Sequence, residues 1–302
     1  MGPVFWLQPS ADRARDVALP PSLLGPLEPW RDRLHSSRNT VVPVVSSELS
    51  NPPLPSRVEL LQTLIARAPA RARAELHQLL HQRSHAVLAS LLERMPEVGP
   101  SIIAQVIEQA YQRPALPRPE VFDLIAALPV EHFLTTSYDP WLKEAVSQRS
   151  GSMPRVYVPG DAGALSQLDT DSPALVLMLH GDADRPATCV LTARDHRQLE
   201  RGNPQFALAM QGLAAARSFL FVGYPPSGPD MASALDHWAA LFAPRGAPPR
   251  HVMLGAGFSA ADRMLLLDRG VQPVDYSPHD PDDHSLLPGV LRWLASPLHD
   301  QT

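Results

Sequence analysis

The chain has one cysteine in 302 residues, one lysine against many arginines, and no glycine between Gly25 and Gly99. A single thiol, Cys189, excludes an internal disulfide and any multi-thiolate zinc site. It lies in the apolar run Thr188-Cys189-Val190-Leu191, which reads as the setting of a buried, inert thiol. No apolar run approaches the roughly 18 residues of a membrane span, and the start lacks the basic-then-apolar pattern of a secretory signal. Trp6 stands where myristoylation of Gly2 would need Ser or Thr. The expected location is the cytoplasm. A formal net charge of −5 gives no general attraction to nucleic acid or anionic lipid, so neither is expected as a partner.

What is present is a core-forming composition. Apolar residues make up 44% of the chain, enough for one large α/β domain or a core with a satellite. The 34 prolines, with abundant Arg and Ala, most simply reflect nucleotide bias. The arginines around residues 57–73 therefore read as a solvated helix face rather than a phosphate-binding patch.

Residues 1–40 show no sustained period and read as an extended arm. Val41-Val42-Pro43-Val44-Val45 has the profile of a buried strand, and Ser56 is a helix cap after the proline-rich break at 51–55. Residues 57–129 carry leucines and isoleucines at helical spacing, divided by Pro69, Pro96, Pro100 and Pro114. They read as a helical insertion or lid, a surface for a protein partner or a second copy of the chain. His77, His81 and His85 are spaced as if on one helix face, but no carboxylate is interleaved, so an exposed stripe is expected and no metal site.

From residue 130 the pattern alternates. Strands are expected at 132–136, 155–158, 174–180, 188–192, 218–223, 250–254 and 271–276. Helices are expected at 139–147, 204–216, 230–242, 259–268 and 284–295. This predicts an α/β protein with a Rossmann-like, doubly wound, mostly parallel sheet built from 41–56 and 130–296, with 297–302 as a tail.

Two strands end in polar residues: His132-Phe133-Leu134-Thr135-Thr136-Ser137-Tyr138-Asp139 and Val176-Leu177-Met178-Leu179-His180-Gly181-Asp182. Ligands of open parallel sheets sit beyond such strand ends. Thr135 to Asp139 resembles the Thr-Thr-Asn-Tyr-Asp of the sirtuin-like family, and Leu179 to Asp182 resembles its Leu-His-Gly. Val190-Leu191-Thr192 with Asp195, Phe221 to Pro225, and Gly270 to Tyr276 with His284 and Leu287 are similar in the same order. Val41 to Ser50 sits where the family has its first strand and Gly-Ala-Gly-x-Ser.

The resemblance, to the bacterial branch without a zinc ribbon, implies binding of nicotinamide dinucleotide (NAD) and cleavage of its nicotinamide–ribose bond. The acceptor is water in the glycohydrolases, several of which act in phage defence. It implies catalytic roles for His180 as general base, Ser137 and Asp139. It implies cofactor contacts from Ser46, Ser47, Glu48, Ser50, Thr136, Gly181, Gly223, Tyr224, Asp275 and Tyr276. The competing reading of His180 is a strand-end histidine capping its own turn.

Four positions depart from that pattern. Ser46-Ser47-Glu48 replaces the glycine turn that lets backbone approach a diphosphate, and Glu48 adds a negative charge beside it. Ser137 replaces an Asn, with shorter reach and without the paired donor and acceptor of an amide. Pro225 removes a hydroxyl and an N–H, and Gly228 stands where an Asp is usual. Together they predict a module weakened or inactive as an enzyme, acting as sensor or scaffold, with an active NAD+ glycohydrolase as the alternative.

Two further motifs read as structural. Gly255-Ala256-Gly257-Phe258-Ser259 is expected to make a tight strand-to-helix turn rather than an anion site. His279 to His284 is expected to be a solvated turn whose aspartates cap the last helix.

Overall fold

A computed structural model describes residues 19–36, 40–111, 116–161, 174–199, 210, 212–225 and 248–298. Seven strands form one sheet: β1 Val41–Val45, β2 His132–Thr135, β3 Arg155–Tyr157, β4 Leu175–Met178, β5 Ser218–Val222, β6 His251–Ala256 and β7 Val271–Ser277. Their order is β3-β4-β2-β1-β5-β6-β7, and every pairing between named strands is parallel. The α/β class and Rossmann-like winding are as expected.

The sheet is buried on both sides because its strands are apolar at successive positions. Val41 and Val45 join one cluster with Phe133, Met178 and Val222. Val42 and Val44 join the other with Leu134, Leu177 and Phe221. The first cluster is continuous with the helices α1 Pro21–Ser36, α2 Arg57–Ile65, α3 Ala70–His81, α4 His85–Glu93, α5 Gly99–Tyr111, α6 Glu120–Ala126 and α7 Trp141–Ser150. After α8 Ala193–Arg197 come α9 Ala260–Asp268, whose Leu266 lies in the second cluster, and α10 Leu287–Ala295, whose Leu291 lies in the first. The helices within 57–129 thus share one core with the sheet.

Several local expectations are corrected. Residues 21–36 are a helix, not an extended arm: Leu23, Leu27, Trp30 and Leu34 recur at helical spacing and are buried. Prolines inside that helix mask its period in the sequence.

Residues 188–192 are not a strand. The chain leaves the sheet after Met178, makes a 3-10 turn at Pro186–Thr188, and Thr192 caps α8 with a capping box to Asp195. The apolar run is buried by packing, with Val190 N–H donating to the His180 carbonyl at 2.8 Å. Cys189 is half-buried, and burial pushes its thiol up.

His77 and His81 lie on α3, but His85 begins α4, so the three do not share a helix face. The aspartates of 280–283 make local turns, Asp280 accepting from Asp282 N–H and Asp283 from Ser285 N–H. Neither caps α10, whose cap position is Leu286. The helix expected over 204–216 is described only at 210 and 212–216, and the one over 230–242, with Gly228, lies outside the described residues.

Candidate functional site

β2 and β5 flank β1, and the chain passes from one side of β1 to the other between β4 and β5. The switch point of the winding therefore lies between β1 and β5, and ligand crevices open at the carboxyl ends of such strands. Val45 pairs with Thr135 and with Val222, and Thr135 pairs with Met178, so the four strands end level. The loops carrying Ser46–Ser50, Thr136–Asp139, His180–Asp182 and Gly223–Tyr224 leave from adjacent strands at one edge.

Asp139 is the buried centre of one cluster. Ser50 Oγ donates to its Oδ2 at 2.5 Å, Ser137 Oγ donates to the same oxygen, and Trp141 N–H donates to Oδ1 at 3.0 Å. Burial pushes the carboxyl up, against the downward pull of those hydroxyl and amide donors. The expected residues Ser50, Ser137 and Asp139 do meet, and each hydroxyl gives its hydrogen to the carboxylate.

The loop after β1 closes as a 3-10 turn over Ser47–Ser50. Ser46 N–H donates to the Val222 carbonyl at 3.0 Å, Glu48 N–H to Ser46 Oγ, and Leu49 N–H to the Ser46 carbonyl. Leu49 is fully buried against Gly223: a Cβ on that glycine would stand 2.4 Å from Leu49 Cγ. Three amides of this loop are thus bonded within the fold, and Leu49 packs on the glycine that follows β5.

His180 is half-buried and bonded elsewhere. Arg57, the first residue of α2, places Nη2 3.2 Å from His180 Nδ1, and His196 packs edge-on with ring centroids 5.7 Å apart. Burial, then Arg57, then His196 hold the imidazole well below its ordinary value. No hydrogen bond among the described residues joins His180 to Ser137, Asp139 or Ser50. Gly181 has φ 95°, and a Cβ there would meet the Thr188 carbonyl oxygen at 2.3 Å, so the turn after His180 requires glycine.

Thr136 Oγ1 and the Tyr224 hydroxyl are 3.4 Å apart across β1. Asp275 and Tyr276 lie on β7, two strands beyond β5, and are not brought to His180. The Asp275 carboxylate accepts from Gly257 N–H and Phe258 N–H at 3.1 Å each and pairs with Arg263. The Gly255–Ser259 turn is the tight strand-to-helix turn expected, and its anion is the protein's own. Tyr276 shares a hydrogen bond with His284 Nδ1 at 2.8 Å.

Sequence reasoning missed three participants. Arg57 was assigned to a solvated face, as was Arg73, which donates to the Ala66 and Ala68 carbonyls. Lys143 bonds buried Asp182 at 2.9 Å and Asp184 at 2.6 Å, fixing the loop after β4. Tyr111 stacks edge-on against Tyr138 and lies close enough to Asp139, Glu48 and Arg57 to feel all three charges. The only sequence signals were the chain's lone lysine and the carboxylates two and four residues after the strand-end Leu-His.

Fold and site together define a Rossmann-like protein with its polar residues gathered at the switch-point edge. Residues 131–274, a little under half of the chain, are similar to the family described as "SIR2-like domain". Three curated relatives are each named NAD(+) hydrolase ThsA. That of Cytobacillus dafuensis is 28% identical over 41% of this chain and 24% of its own length. Those of Acinetobacter baumannii (strain 532279) and Bacillus cereus (strain MSX-D12) are each 25% identical over 36% of this chain and 22% of their own. The match spans less than a quarter of these relatives. A solved structure described as "Structural Basis for the Mechanism and Regulation of Sir2 Enzymes" is 11% identical, with 89% of this chain and 95% of that chain covered at a TM-score of 0.41. No helix among the described residues is long and apolar enough to cross a membrane.

Proposed function

We infer that this chain is a sirtuin-like module that keeps the nucleotide-binding architecture but has weakened its hold on NAD, and that it acts as a sensor or scaffold rather than as an enzyme. The observation that carries this reading is the closed loop after β1, with Ser46 N–H bonded to Val222 and Leu49 seated on Gly223. A diphosphate needs unspent backbone donors at that place. Glu48, in the same loop, sets a carboxylate against it; one such charge pair at ~5 Å costs roughly 3 kcal/mol at an effective dielectric near 20. Isothermal calorimetry with NAD tests the reading. Binding weaker than micromolar is expected, and micromolar affinity for the intact dinucleotide would overturn it.

A second reading, NAD+ hydrolysis, draws on the curated relatives' names and on the survival of His180 and Asp139 at the switch-point edge. Its measurement is nicotinamide release by the full chain, compared with His180→Ala. Release abolished by that substitution supports it; absence of release, or release indifferent to it, removes it. On either reading the helices within 57–129 are proposed as the surface for a protein partner or second copy, checked by light scattering on the full chain.

A further inference from the structure

A guanidinium has hydrogen-bond donors and no acceptor. The 3.2 Å contact between Arg57 Nη2 and His180 Nδ1 therefore fixes which ring nitrogen carries the hydrogen. Nδ1 must accept, so the neutral ring is protonated at Nε2. In that state His180 can only donate through Nε2 and has no unshared lone pair with which to take a proton. A second proton would place an imidazolium against the Arg57 guanidinium of α2, with the His196 ring of α8 packed edge-on beside it.

We propose that Arg57 is a latch: while the first turn of α2 is docked, it holds His180 as a hydrogen-bond donor, and His180 becomes a proton acceptor only when Arg57 withdraws. The inference rests on the second reading, in which His180 is the reactive group, and it adds a control to that site. The latch has a carrier able to move it. Arg57 joins the loop after β1 to the helices of 57–111, and those helices also grip the segment after His180. Ser90 Oγ on α4 accepts from Ala193 N–H at 2.9 Å, and Arg194 donates to Glu93 at 2.7 Å. A partner that shifts these helices against the sheet acts on Arg57 and on the histidine's own loop together.

The test needs no ligand, so it stands apart from whether NAD is bound or cleaved. Nitrogen-15 NMR of the histidine rings in the full chain reads tautomer and titration midpoint directly. The unsubstituted protein should show His180 protonated at Nε2. Arg57→Met should populate the Nδ1–H form and raise the midpoint by about one pH unit, the effect of removing an adjacent like charge. Arg57→Lys, which restores a donor and a charge, should return the ring toward its original state. If Arg57→Met does not fold, Arg57→Gln, without the charge, reads the same upward shift. An Nδ1–H tautomer in the unsubstituted chain, or a midpoint unmoved by loss of the charge, overturns the latch.

Discussion

Ser50 Oγ donates to Asp139 Oδ2 at 2.5 Å across 89 positions of sequence, tying the loop after β1 to the end of β2. The contact gives the loop a fixed seat and the buried carboxylate one of its donors. It commits the Ser50 hydroxyl hydrogen to the carboxylate, leaving that oxygen only its acceptor lone pairs.

Removing that donor should cost stability in a pH-dependent way. Ser50→Ala leaves the buried carboxyl with one hydroxyl donor fewer, a loss of about 2 kcal/mol in urea unfolding at pH 7. Asp139 is raised in the folded state, so its contribution is most favourable in acid and declines as pH rises through the folded value. The Ser50→Ala deficit should therefore shrink as pH is lowered and the carboxyl gains its proton. A deficit equal at pH 3 and pH 7 would mean the hydroxyl matters only as packing.

His132 and His251 should govern acid stability. Both are buried, and both are lowered to about 4, by burial first and neighbouring arginines second. A lowered histidine is fully stabilising above its unfolded value near 6.5, and that stability is lost as pH falls toward the folded value. The loss approaches about 3 kcal/mol for each group by linkage. Neither ring nitrogen of His132 has a hydrogen-bond partner among the described residues. His132→Leu should thus leave stability at pH 7 unchanged or higher and flatten its fall between pH 6.5 and 4, as read from denaturation midpoints against pH.

The two strand-end glycines should differ in how they fail. Gly223→Ala drives a Cβ into the Leu49 side chain, and Leu49→Ala should restore part of the lost stability in a double-mutant cycle. Gly181→Ala instead meets the backbone of Thr188 and Cys189, which cannot be trimmed away. It should be the more damaging, by more than about 2 kcal/mol, with no single compensating substitution.

Lys143→Met should be costly for a chain with no other lysine. It leaves Asp182, 5% exposed at its side chain, without its cation, a loss of about 3–5 kcal/mol. Burial pulls the ammonium down, but its bonds to Asp184 and Asp182 outweigh that and hold it raised. The stabilisation is therefore complete below pH 10.5 and lost in alkali, and Lys143→Met should flatten the alkaline limb of a stability-against-pH curve.

The sheet and the helices of 57–129 were legible because their signals are local. Val41–Val45, Phe133–Leu134 and Leu175–Met178 are apolar at successive positions, which a strand buried on both faces demands. Ser56 precedes α2 with Glu59 three positions on, and the two make a capping box. The helix at 21–36 was hidden because two internal prolines argue against it residue by residue, and only burial of one face outweighs them.

Sequence by itself determined which polar residues stand at the strand ends: Ser46, Thr136, Ser137, Asp139, His180 and Gly223 are placed there by the lengths of the apolar runs before them. Tertiary structure alone decided what those residues are free to do. Arg57 reaches a histidine 123 positions away, Leu49 covers a glycine of another strand, and Asp275 fills a turn in β6–α9. Hydrogen-bonding capacity is spent between groups distant in sequence, and a donor's partner is chosen by the packing of the whole sheet rather than by its neighbours along the chain.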